Sequence, residues 1–132
     1  MTDTLDTKAV TILVVDDEDS VSGLIKSLLT KNGYSVVTAS NGEEGLMQAK
    51  KTKPDLILMD ITMPDMDGYE ATARIKENPE LHDVPVIFLT GKSAREDGGR
   101  AFASGGLTFV RKPFSNRQLL DLVVLTMQAV NG

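Results

Sequence analysis

Cysteine is absent from the 132 residues, which excludes disulfides, thiol catalysis and thiolate metal sites. That absence is compatible with a reducing compartment. No apolar run approaches the length of a bilayer span, so membrane insertion is not expected. The first eight residues, Met1 to Lys8, lack the basic start and apolar middle of a signal peptide. They read as a short mobile polar tail (1–8) ahead of a single domain (9–132). There is no excess of positive charge: 14 Lys and Arg face 19 Asp and Glu, a formal net charge of -5, which argues against a broad nucleic-acid footprint. Internal repeats, low-complexity blocks and linkers are missing too, and no DNA-binding region is visible. Histidine occurs once, as His82, in a polar stretch that reads as solvated loop.

What is present alternates between two patterns. Val10–Val15 is a β-branched run of buried-strand type that ends in Asp16-Asp17-Glu18-Asp19. Val21, Leu24, Ile25, Leu28 and Leu29 follow at the spacing of one helix face, with Gly33 as a stop. Tyr34–Ala39 is a second strand, and Ser40 to Glu43 fits a capping box with Ser40 at the cap and Glu43 reaching back. The next helix is weak in apolar residues (Leu46, Met47, Ala49). Asp55–Asp60 is strand-length and apolar until its last residue, as expected of a strand buried on both faces. Met63-Pro64-Asp65-Met66-Asp67-Gly68 reads as a loop in which Met63 and Met66 pack. Asp67 with Glu70 caps a helix through Ala71, Thr72 and Ile75 that should end near Asn78-Pro79.

Val84–Leu89 is a fourth strand ending in Thr90-Gly91. Ser93–Ser104 should be helical, yet Gly98-Gly99 in its middle costs ~2 kcal/mol relative to alanine. Leu107–Val110 is a fifth strand ending in Arg111-Lys112-Pro113. Ser115 and Gln118 form a capping box, and Leu119, Leu120, Val123, Val124 and Met127 give the last helix a buried face. Arg74, Lys76, Arg95 and Arg100 read as solvated helix positions. Five alternations predict an α/β domain: a five-stranded parallel, doubly wound sheet of flavodoxin-like type, strand order 2-1-3-4-5.

In that topology every strand's carboxyl end reaches one edge, where ligands bind. Strand one delivers Asp16 and Asp17, strand three Asp60, strand four Thr90 and strand five Lys112. Carboxylates sharing a crevice raise one another's pKa, and a hard divalent cation such as Mg²⁺, content with carboxylates, a carbonyl and waters, relieves the repulsion. A carboxylate can accept a phosphoryl group as an acyl phosphate. The anionic group in flight needs positive charge and donors, which Lys112 and the Thr90 hydroxyl offer, with Gly91 leaving room.

These residues, with Met63 to Gly68 and Lys112-Pro113-Phe114, resemble the receiver domain of two-component response regulators, above all its stand-alone chemotaxis-type (CheY-like) members. The resemblance covers about Thr11 to Val130. It implies that Asp60 is the phosphoacceptor, supplied by a sensor histidine kinase or a histidine phosphotransfer protein. It implies that Asp17 binds Mg²⁺ directly, Asp16 mostly through water, Asp60 and the backbone carbonyl of Thr62 completing the protein ligands. Lys112 would pair with Asp60 and then with the phosphoryl group, across a cis Lys112-Pro113 bond. Thr90 and Phe109 would form the switch, and His82 is not placed to be the phosphodonor. A cytoplasmic setting is expected, and the only catalysis would be the domain's own phosphorylation and dephosphorylation.

Three departures stand out. Phe109 occupies a place where many members have tyrosine. The Gly98-Gly99 pair loosens a helix on the usual output face, about residues 93–130, so that the helix is expected to be partly unfolded before activation and a monomer is favoured over a dimer. Thr62 lies near the route of attacking water. Of the alternative functions, an aspartate-nucleophile phosphatase of the haloacid-dehalogenase type needs an acid where Thr62 stands and room for a lid. A phosphorylation-independent scaffold would not need the full set of acids, Thr90 and Lys112. A flavin binder would need a phosphate-cradling loop after strand one, where acids stand instead.

Overall fold

The computed structural model describes residues 10–91 and 103–131. Its elements follow the order β1 (Thr11–Val15), α1 (Asp19–Lys31), β2 (Ser35–Ala39), α2 (Gly42–Thr52), β3 (Leu56–Asp60), α3 (Gly68–Lys76), β4 (Val86–Thr90), β5 (Thr108–Arg111) and α4 (Asn116–Asn131). The strands form one parallel sheet in the order β2-β1-β3-β4-β5, as the alternation predicts. The stretch expected to be helical from Ser93 falls largely outside the described residues, as do the N-terminal tail, Arg95, Arg100 and the Gly98-Gly99 pair.

The central strands β3 and β4 are buried at every position, and β1 at all but Thr11. The edge strands β2 and β5 are only partly buried. Two apolar layers sandwich the sheet. One packs Leu13, Ile57, Met59 and Phe88 with Ala49, Tyr69, Ala71 and Ile75, on the side of α2 and α3. The other packs Ile12, Val14, Leu58 and Ile87 with Ile25, Leu29, Leu119 and Val123, on the side of α1 and α4. Successive strand residues point to opposite faces, so a run apolar throughout serves both layers. Gly45 lets α2 approach β1 closely: a Cβ there would lie 3.0 Å from Val15 Cγ2.

Local details correct four expectations. The capping box of α2 is shifted by one residue. Asn41 is the cap, accepting from Glu44 N at 2.8 Å, and Glu44 Oε1 accepts from Ser40 N. Asparagine caps as well as serine, so two overlapping frames compete and the sequence does not rank them. Leu24 is on the apolar stripe of α1 yet is 72% exposed, and Val124 of the last helix is also exposed. Lys76 is no solvated position: its ammonium donates to the carbonyls of His82 and Val84, which fold back over the end of α3. Burial holds its pKa below the usual lysine value, against the field of Asp83. Asp67 and Ser115 cap their helices as expected, and Met63 and Met66 are buried.

Candidate functional site

The site is built from strand ends. Asp16 follows β1, where its N–H donates to Ala39 O at 3.0 Å and its carboxylate is fully buried. Asp60 ends β3, paired with Leu89 of β4, and is also buried. Asp17 is exposed at the mouth. Carboxylate oxygens of Asp16, Asp17 and Asp60 lie within 4.8 Å of one another. Lys112, just past β5, turns its ammonium into this group, 3.0 Å from Asp16 Oδ2 and 3.4 Å from Asp60 Oδ1. Thr90 ends β4 and is buried, and its carbonyl accepts from Lys112 N at 2.7 Å. The Lys112-Pro113 bond is cis.

The loop after β3 is folded tightly against the acceptor strand. Gly68 N donates to Ile61 O at 2.9 Å, and Asp65 sits at φ 70. A Cβ on Gly68 would lie 2.3 Å from Asp60 O, so only glycine permits this closure. Thr62 is exposed at the start of the loop. Phe109 pairs with Phe88 across β4 and β5 and is partly buried against the α2/α3-side layer, which sets it on the same sheet face as Thr90. Asp16, Asp17, Asp60, Thr90 and Lys112 therefore converge at the carboxyl edge, with Thr62 following Asp60 in the loop. Phe109 lies further back under it.

Electrostatics mark Asp60. Burial raises its carboxyl from the ordinary 3.8 to about 7, with Asp16 adding repulsion and Asp17 a further hydrogen bond, against the opposing pull of Lys112. Burial works against the charge of Lys112, but the hydrogen bond to Asp16 and the fields of Asp60 and Asp16 prevail and push its pKa up. One lysine thus leaves the cluster short of positive charge. The donor set fits a hard divalent cation: it is all carboxylate oxygen, two members are buried and one opens to water for the remaining ligands.

One residue in this neighbourhood was missed on the sequence. Glu18 Oε1 lies 3.5 Å from the Lys112 ammonium. The available signal was a glutamate, a poor N-cap, standing at the start of α1 directly after the acidic pair.

A doubly wound parallel α/β sheet with three carboxylates and one lysine gathered at its switch point defines the class of domain to which this chain belongs. The response regulator receiver domain model matches residues 12–124, and the chain belongs to that family. It is 39% identical over 108 residues to the alkaline phosphatase synthesis transcriptional regulatory protein PhoP of Bacillus subtilis, covering 82% of this chain and 44% of that protein. The chain spans about half the length of the first curated relatives it matches. Among solved structures it superposes on chemotaxis protein CheY4 of Vibrio cholerae with TM-score 0.85 and 30% identity, over 87% of this chain and 96% of that one. The receiver domain of sensor histidine kinase PA1611 from Pseudomonas aeruginosa, described with a magnesium ion coordinated in its active-site cleft, gives TM-score 0.79 and 30% identity over 86% and 93% of the two chains.

Proposed function

We propose that the domain accepts a phosphoryl group at Asp60, with Mg²⁺, from a phosphohistidine on a sensor histidine kinase or phosphotransfer protein. The observation that carries this reading is a buried carboxylate at the end of the central strand, with two more carboxylates and one lysine around it. Asp60 attacks phosphorus, an O–P bond forms as the donor's N–P bond breaks, and imidazole leaves with a proton. Lys112 meets the negative charge on the transferring oxygens. Asp16, Asp17, Asp60 and the Thr62 carbonyl would hold Mg²⁺, which supplies the positive charge that lets carboxylate and phosphoryl group approach. Thr90 and Phe109, on one sheet face, carry the change of state toward residues 93–130, where an output protein docks on a monomeric, cytoplasmic receiver. The domain turns over no separate substrate. Its chemistry is its own phosphorylation and dephosphorylation.

A donor protein has a surface to meet. Beside Lys112 a groove of about 360 Å³ runs between α1 and the start of α4, lined by Val21, Leu24, Ile25, Phe114 and Leu119. A partner covering the mouth of the site would bury it.

Intact mass after incubation with acetyl phosphate and Mg²⁺ tests the reading. One phosphoryl adduct is expected on the wild type, dependent on Mg²⁺ and absent from Asp60→Asn. No adduct on the wild type would overturn the function, and an adduct surviving in Asp60→Asn would overturn the residue.

A further inference from the structure

The start of α1 is unusual in what it does not do. Glu18 occupies the N-cap in extended geometry (φ -97, ψ 104), yet its side chain makes no cap hydrogen bond. Asn41 and Asp67, at the same position in α2 and α3, both cap with their side chains. The Glu18 carboxylate turns instead toward the site, 3.5 Å from Lys112 Nζ. Its backbone N–H donates to Asp16 Oδ1 at 2.9 Å, and the other oxygen of that carboxylate takes Lys112 at 3.0 Å. Glu18 therefore bears on Lys112 twice, directly and by fixing Asp16.

We propose that Glu18 is a positioning residue that tethers the Lys112 ammonium at the mouth of the site and so limits how readily it moves onto an incoming phosphoryl group. The inference rests on the reading that Asp60 accepts such a group. An ammonium has three protons, and Asp16, Asp60 and Glu18 stand round it at 3.0, 3.4 and 3.5 Å. The ammonium donates hydrogen bonds to Asp16 and Asp60 and is held toward Glu18 by charge, so moving onto a phosphoryl oxygen means leaving that pull. Asp16 and Asp60 belong to the cluster that fits a cation, whereas Glu18 lies outside it. With its side chain 61% exposed, Glu18 holds weakly, as a brake rather than a lock. A purely structural role, favouring the positive end of α1, would leave Lys112 unaffected.

Two measurements separate these roles. In metal-free protein, NMR relaxation of the Lys112 side chain should show greater mobility in Glu18→Gln than in wild type. With Mg²⁺ and acetyl phosphate, Asp60 labelling should be about two- to fivefold faster in Glu18→Gln, the scale of an exposed ion pair, and the gain should disappear in a Lys112→Met background. Unchanged Lys112 mobility overturns the tether, and so does an unchanged labelling rate. An equal gain in the Lys112→Met background also overturns it, since Glu18 would then only repel the anionic donor. Failure of the wild type to be labelled at all would instead strike the function on which the inference rests.

Discussion

Asp60 is buried beside other carboxylates, and that environment raises its pKa. Its pKa rises from 3.8 to about 7 because burial and Asp16 both disfavour the anion. The unfolded chain gives up this proton first, so the folded state loses stability as pH climbs from about 4 to about 7, and the loss is complete above that. Asp60→Asn removes the titration. In EDTA at pH 7.5 the variant should be more stable than wild type by about 1–3 kcal/mol, less than the ~4 kcal/mol that three pKa units would allow, since the ion pair to Lys112 goes too. Urea denaturation at pH 4, 6 and 7.5 checks this. A difference that stays constant across the series would mean that Asp60 titrates normally. Individual residues were legible where the chain demands a type: a strand-end carboxylate, a lysine before proline. Glu18 and Lys76 were not: Glu18 meets Lys112 only after the far end of the chain folds beside it, and Lys76 meets the His82 and Val84 carbonyls only once the chain after α3 turns back.

Among the elements, β1 and β3 could be read to within a residue and β4, expected from Val84 but starting at Val86, nearly as closely, since a parallel strand covered on both faces must be apolar throughout. Their partners across the sheet could be read as well, because right-handed crossovers leave few orders for five alternations. Helix details were harder. The α2 cap slipped by one, and Leu24 of α1 proved exposed, because a stripe at helical spacing is wider than the face the sheet covers. Two glycines show how element and site differ in tolerance. Gly23 is exposed on α1, and a methyl group there would meet nothing within 4 Å, so Gly23→Ala should stabilise by about 0.5–1 kcal/mol. Gly68 opens α3 against backbone atoms of Asp60 and Ile61, neither of which can swing away. Gly68→Ala should destabilise by about 1–3 kcal/mol and also slow Asp60 labelling, because the acceptor strand end must shift. Urea midpoints and acetyl phosphate labelling of both variants test the contrast. Full-rate labelling of a stably folded Gly68→Ala protein would show that the loop closure is not needed at the acceptor.

At the scale of the molecule, the strand order decides what lies next to what. Placing β1 and β3 side by side at the switch point joins Asp16 to Asp60, and α1 and α4 leave from the same edge on one side of the sheet. The apolar groove between them therefore adjoins the acceptor and shares Lys112 with it, and its rim residue Leu24 is 72% exposed. Leu24 stands outside the acidic cluster, so a donor docked on this groove should be removable without touching the chemistry. Leu24→Arg should leave stability within about 0.5 kcal/mol, as surface changes usually do, and should leave labelling by acetyl phosphate unchanged. Transfer from a phosphorylated histidine protein should fall about tenfold or more, because docking would press a charge into an apolar contact. The two rates, measured on the same preparation, decide the matter. A parallel fall in both would put Leu24 in the service of the acceptor site itself. No fall in either would move the donor's footprint off this groove and toward the faces of α2 and α3.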